Sequence, residues 1–231
     1  MLPAVPPLTG IVPALDEEEE EIVRIDLEQR RIDVKGGIGF DAFFEDVRFR
    51  LADNDYEHTE FEGDEIGTVF TNEGYEARLE AIGAERGGWE SAYGVQIRSR
   101  DFSAVGEEAF VPPTNTSQLG VYTFHQAEIG DVHLEGAARY ENTKQEAVDT
   151  NAERTFDLFS LSAGGDVHLS DTVRMGGTVF RTERAPTTEE LFSNGPHLAT
   201  SQFERGDPLL GKETATGIEF AFRHRENGHF I

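Results

Sequence analysis

The feature that most limits what this chain can become is a period-two alternation that begins at Ile22 and recurs for most of the remaining 231-residue sequence. Successive side chains of a strand point to opposite faces, so alternating apolar and polar residues build a sheet with two unlike sides. The alternation predicts about nine strands, at 22–36, 42–57, 66–84, 89–103, 117–128, 132–145, 155–169, 172–184 and 213–225. In the third, Val69, Thr71, Tyr75, Ala77, Leu79 and Ala81 share one face, interrupted by Glu73, while Asn72, Glu76, Arg78 and Glu80 take the other. The sixth sets Val132, Leu134, Gly136, Ala138 and Tyr140 against His133, Glu135, Ala137 and Arg139. No apolar run approaches the ~18 residues of a membrane helix.

The connections between these stretches alternate in length. Short turns are expected at 37–41, 85–88, 129–131 and 170–171, and longer loops at 58–65, 104–116, 146–154 and 185–212. A hairpin meander keeps all its short turns at one end and its long loops at the other. That arrangement, with strands longer than the globular ~5–6 residues, is the pattern of a bacterial outer-membrane barrel. The expected fold class is therefore all-β: an antiparallel meander of about nine strands forming part of such a barrel. The aromatics Tyr56, Phe70, Trp89, Tyr93, Phe102, Tyr122 and Tyr140 fall near strand ends, where interfacial girdles and ordinary β packing would both put them. Within 185–212, Thr187 or Thr188 followed by Glu189 and Glu190 predicts a short capped helix, broken by Asn194, Gly195 and Pro196.

Two regions are expected: an irregular segment at 1–21, with four prolines and then six consecutive acids from Asp16 to Glu21, and a partial barrel at 22–231. The apolar N-terminus lacks a basic flank, which makes it a poor signal peptide. A barrel has to be exported, so a longer parent is expected.

Forty-five acids against 20 bases give a formal net charge of −25, with no basic cluster to neutralise phosphates. Nucleic acid is excluded as a partner, and the charge fits a solvated surface, cation attraction or acidic loops facing water. The absence of cysteine excludes a disulfide framework, thiol catalysis and thiolate zinc sites. The seven histidines are scattered without HxH or HExxH spacing, and no GxSxG elbow occurs, so no catalytic residues are assigned and no enzyme is expected. The candidate metal ligands are the acidic run Asp16 to Glu21 with His58, Glu60, Glu62 and Asp64 in the first long loop, and His197 in the longest. Imidazole and carboxylate together suit zinc or a similar ion. A plain solvated loop explains the same residues.

Three segments resemble the barrel of TonB-dependent outer-membrane receptors, in particular the branch of zinc-uptake receptors. The first is RTERAPTTEELFSNGPHLAT at 181–200, continued by FERGDPLLGKET at 203–214. It is similar to that family's Arg-Ala-Pro, acidic Glu-Glu-Leu-Phe turn, Asn-Gly-Pro-His and Gly-Asp-Pro-x-Leu order. RDFSAVGEEAFVPP at 100–113 is the second; IDLEQRR, YEHTEFEG and FTNEGY between 25 and 75 make the third. The resemblance covers roughly residues 20–225. It implies a transporter rather than an enzyme, an outer-membrane location, lipid around the wall, and a small metal-containing ligand. That ligand would be a zinc or iron ion or a complex such as a siderophore, with no resident cofactor. Coupling to the TonB system would run through a plug domain, which this sequence does not contain. Two departures stand out: the strands number about nine rather than roughly 22, and the position of the family's His-rich acidic loop, 15–21, holds no histidine. The competing expectation is a soluble acidic β-barrel that binds a small molecule and hides its apolar face inside.

Overall fold

The computed structural model describes residues 23–106, 109–197, 202–226 and 229–230. The expected segment 1–21 lies outside them. Nine long strands follow one another in a single antiparallel sheet: β1 (Val23–Gly39), β2 (Phe44–Glu62), β3 (Glu65–Arg86), β4 (Trp89–Gly106), β5 (Thr114–Ile129), β6 (Val132–Ala147), β7 (Ala152–Ser170), β8 (Val173–Arg184) and, after the excursion 185–212, β11 (Glu213–Glu226). The excursion carries a helix, α1 (Thr188–Phe192), and a small hairpin of β9 (Asn194–His197) and β10 (Gln202–Arg205). A two-residue strand, β12 (His229–Phe230), pairs with the end of β11.

Neighbours in the sheet are neighbours in sequence throughout, and no ladder joins β1 to β11 or β12 among the described residues. The barrel is not closed. Two edges stay open, so closing a wall of this kind takes further strands.

Hairpin chemistry accounts for the tight end. Gly87 and Gly88 both adopt positive φ (62° and 81°) between the paired Arg86 and Trp89, the requirement of a two-residue turn matched to strand twist. Gly130 (φ 62°) does the same between Ile129 and Val132. One expectation is corrected here. The segment 58–65 is not a loop: β2 runs to Glu62, β3 starts at Glu65, and Gly63 (φ 60°) turns the chain. Strands outside a membrane core satisfy their backbone by pairing whatever their side chains are, so Tyr56, His58 and Glu60 continue the ladder on one face and Glu57 and Thr59 on the other. Likewise the expected loop at 146–154 shrinks to 148–151, because β6 and β7 pair as far as Ala147 and Ala152.

The register sorts the side chains into two unlike surfaces. Phe49, Leu79, Val95, Val121, Tyr140 and Phe159 form one cross-strand row from β2 to β7, and every one except the half-buried Val95 is exposed. Met175, Val179, Ile218, Phe220 and Phe222 extend the same face onto β8 and β11. The adjoining row on the opposite face reads Arg50, Arg78, Gln96, Gly120, Glu141, Leu158. The helix α1 of the excursion packs on this polar face, where Leu191 is buried against Phe156 and Leu158. The polar face is therefore the inner one, and the apolar rows point outward. That arrangement is the reverse of a soluble barrel and overturns the competing expectation. Strands of 12 to 22 residues also exceed the ~9–11 that cross a bilayer, so most extend past the membrane on the side of the longer connections.

Candidate functional site

The inner wall is a lattice of opposite charges laid out by register. Asp33 accepts from Arg31 and Arg50 (2.6 and 3.0 Å), and Arg78 donates to Glu80 and to the hydroxyl of Tyr122 (2.8 and 2.6 Å). Arg139 bridges Glu141 and Gln96, which in turn donates to Glu76 (3.0 Å). Near the short-turn end, Arg174 clasps Asp166. Asp33, Glu76, Glu80, Glu141 and Asp166 each meet an arginine, the pairing expected of a water-filled lumen in an apolar surround. Arg154 on the same face donates only to the Leu210 carbonyl (2.8 Å) and keeps a buried Nη1 without a partner. The wall is wet and chemically mixed.

At the long-loop end this lattice is covered. Thr187 caps α1, accepting from the Glu190 backbone N–H (3.2 Å), as the expected threonine cap requires, and the Glu190 carboxylate accepts in return from the Thr187 backbone N–H (2.6 Å), which completes a reciprocal box. Arg184 holds Glu190 at 2.9 Å and also pairs with Glu213, joining the start of the excursion to its end. That guanidinium keeps the Glu190 carboxyl below the usual carboxylate range. Beyond Val179, the last apolar outward residue of β8, the ladder between β7 and β8 ends at Leu161 and Arg181. Glu183 fills the gap: its carboxylate accepts from Lys212 Nζ (2.6 Å), from the freed Phe159 N–H (2.9 Å) and from Arg181 (2.9 Å). Lys212 above all, then the Phe159 N–H, lowers its pKa to about 2. The segment 109–113 adds a second contact, Asn194 N–H donating to the Phe110 carbonyl (2.7 Å).

Beneath this cover a cavity of about 330 Å³ opens between the excursion and strands β4 to β8, lined by Arg98, Arg100, Gln118, Thr143, Gln145 and Thr188 among others. Gln145 donates to the Pro186 carbonyl (2.9 Å). Sequence reasoning missed this site, because none of its residues forms a motif; only the register and the fold-back of 185–212 bring them together.

The sequence-predicted metal ligands fare differently. His58 and Glu60 lie two apart on the inner face of β2, 3.5 Å between Nε2 and Oε1, and the His58 ring stacks on Phe70 (4.5 Å between centroids). Asp64 stands exposed in the turn that follows. His197 ends β9, in the excursion; its side chain, that of Glu62 and the acids 16–21 lie outside the described residues. Among the described residues, no three histidines or carboxylates gather into a metal-holding group.

An incomplete antiparallel wall, apolar outside and charged inside, with a folded segment over its inner face, defines a piece of an outer-membrane transport barrel. The chain belongs to the TonB dependent receptor-like β-barrel family, whose model matches residues 24–230. Members of that family are transporters rather than enzymes and sit in the outer membrane of Gram-negative bacteria. Among solved structures the fold is similar to a copper transporter, OprC (TM-score 0.72, 14% identity, 88% of this chain and 38% of that one). It is also similar to the FrpB iron transporter of Neisseria meningitidis (0.64, 13%, 86% and 34%) and to the alcaligin outer-membrane receptor FauA of Bordetella pertussis (0.63, 15%, 89% and 35%). The chain spans little more than a third of the length of these proteins.

Proposed function

We propose that this wall belongs to a receptor that takes up a metal ion or a metal complex, such as a siderophore, across the outer membrane, with energy from the TonB system delivered through a plug domain. The observation that carries the proposal is the division of labour between the faces. Apolar rows meet lipid, a neutralised polar lattice lines the passage, and the excursion 185–212 is pinned over its outer mouth by Arg184, Glu183 and Lys212. The names of the three structural neighbours, a copper transporter, an iron transporter and an alcaligin receptor, favour metal cargo. The resemblance of 181–214 to zinc-uptake receptors makes zinc the first ion to try, with His58, Glu60, Asp64 and His197 as the capture set.

The test is uptake. Cells lacking their own receptors and producing the receptor that contains this wall should accumulate radiolabelled zinc, copper or chelated iron, and the accumulation should stop when the membrane is de-energised. Accumulation of none of the three retires the metal reading. For the capture set, His58→Ala with His197→Ala should weaken metal binding about ten-fold if imidazoles ligate; unchanged affinity removes those residues while leaving transport intact.

A further inference from the structure

The outward face of the wall carries different chemistry at its two ends. At the long-loop end, Asp55, Glu73, Asp101, Glu146 and Glu153 fall in one cross-strand row, with Asn115 between Asp101 and Glu146. At the short-turn end, the three rows through Val47, Phe44 and Trp89 hold no carboxylate from β2 to β8. Of the two arginines in those rows, Arg181 is already taken by Glu183 (2.9 Å). Arg86 is not.

Arg86 precedes the Gly87–Gly88 turn and pairs with Trp89 across it, so both side chains stand on the outward face. Its acidic neighbours are engaged elsewhere: Glu85 accepts from the Gly88 N–H (3.0 Å) and Glu90 from the Gln126 amide (2.5 Å). Among the described residues no carboxylate pairs with Arg86; its guanidinium lies over the Phe43 ring, 5.1 Å from the centroid. Phe43 begins an unbroken run of rings. It meets Phe44 edge-on (4.9 Å between centroids), Phe44 meets Tyr93 (6.0 Å), and Tyr93 meets His125 (5.5 Å), whose Nε2 is hydrogen-bonded to the Thr123 hydroxyl (2.8 Å). Phe43 and Trp89, on either side of Arg86, are both more than half exposed.

A guanidinium stacked on a ring face keeps its N–H edges free, and those edges match the oxygens of a phosphate. Tyrosine and tryptophan settle at headgroup depth, and short turns mark the periplasmic side of an outer-membrane barrel. At that depth the phosphate at hand is a phospholipid's. The missing carboxylates narrow the choice. A zwitterionic headgroup brings an ammonium with its phosphate, and these rows offer the ammonium no counter-charge. A headgroup without the ammonium asks only for the cation.

We infer that the outward short-turn end of β3–β5 is a docking site for an anionic phospholipid of the periplasmic leaflet, its phosphate held by Arg86 and its glycerol and upper chains by the rings from Phe43 to Tyr93. The docking rests on the outward rows meeting lipid and is independent of the cargo.

The receptor containing this wall, held in detergent, is titrated with phosphatidylglycerol and separately with phosphatidylethanolamine of the same chains, and native mass spectrometry counts the lipids retained. Phosphatidylglycerol should bind about ten-fold more tightly, the size of one charge-assisted contact. Arg86→Gln should lower its affinity about ten-fold and that of phosphatidylethanolamine by less, so that the preference closes. Trp89→Leu removes a ring and no charge. It should weaken both lipids alike with the preference kept, and it supplies a second readout if Arg86→Gln fails to fold. Arg30→Gln, at the long-loop end of the same face, should change neither lipid. Equal affinity for the two lipids, a preference that survives Arg86→Gln, or an indifferent Trp89→Leu overturns the inference. So does an equal loss in Arg30→Gln, because net charge alone would then account for the binding. Lipid retention is read without metal or energy, so failure here leaves the uptake reading standing, and failure of uptake leaves the docking site standing.

Discussion

Tyr122 shows how single residues set the inner wall. It sits between Gly94 on β4 and Arg139 on β6 in one row, and its hydroxyl donates to Glu80 (2.7 Å). A β-carbon at Gly94 would come within 2.1 Å of the Tyr122 ring, so glycine is there to let the ring lie flat across β4. Gly94→Val therefore has to expel Tyr122 and break its bonds to Arg78 and Glu80. We expect a loss of about 1–3 kcal/mol, measured by equilibrium unfolding, with Gly94→Ala smaller than Gly94→Val. Glu183 carries a pH dependence. Its folded pKa of about 2 lies below the ordinary 4.5, so its ionised form is favoured by folding. The contribution is complete above the ordinary value and is lost as pH falls from about 4.5 through about 2. Amide protection in 185–197, measured as the exchange rate relative to the intrinsic rate at the same pH, should thus fall between about pH 5 and about pH 2, and Glu183→Gln should show the lower protection already at neutral pH. If protection in that segment is indifferent to both, the carboxylate does not pin it.

At the scale of elements, one row stands out from the rest. Above the apolar row on the outward face, Arg30, Asp55, Glu73, Asp101, Asn115, Glu146 and Glu153 are paired one to the next across seven strands. Like charges face each other directly at Asp55 and Glu73, at Glu73 and Asp101, and at Glu146 and Glu153. Arg30, 3.5 Å from Asp55, and Lys144, 2.8 Å from Glu153, offset only the ends. Directly opposed like charges destabilise a ladder, and at 0.1 M salt the screening length is about 10 Å. Glu73→Gln should accordingly stabilise the extramembrane ends of β2 to β4 by roughly a few tenths of a kcal/mol in dilute buffer, a gain that shrinks as salt is added. A gain that persists in molar salt would point to packing instead. This row was not legible in the sequence. Glu73 reads there as a flaw in the apolar face of β3, because alternation gives the face of a residue but not its neighbour across the ladder. The strands themselves were legible, since period-two patterning and glycine turns are local; so was the threonine cap of α1. The ladder through His58 and Glu60 was missed because acidic stretches read alike in a loop and in an extramembrane strand. The cavity was missed because it needs Leu191 to find Phe156 and Leu158, a contact no local pattern encodes.

For the whole molecule, the two faces of the wall make opposite demands, and neighbouring residues on one strand can test them. Leu79 lies midway along the outward apolar stretch of β3, between Tyr75 and Gly83, half exposed. Arg78, one residue before it, faces inward and donates to Tyr122 and Glu80. If the outward rows meet hydrocarbon, Leu79→Arg places a charge in lipid at about +2–4 kcal/mol, measured by reversible unfolding from bilayers. The reverse change, Arg78→Leu, removes one cation from an aqueous lattice and leaves Glu80 still held by Tyr122, so its cost should be the smaller of the two. In aqueous solution a surface Leu→Arg change is nearly neutral, so the Leu79→Arg penalty should appear only where hydrocarbon surrounds the wall. A penalty of the same size in both settings would mean that the apolar rows pack against protein rather than lipid. The outward face would then be an interface rather than the outside of a transport barrel.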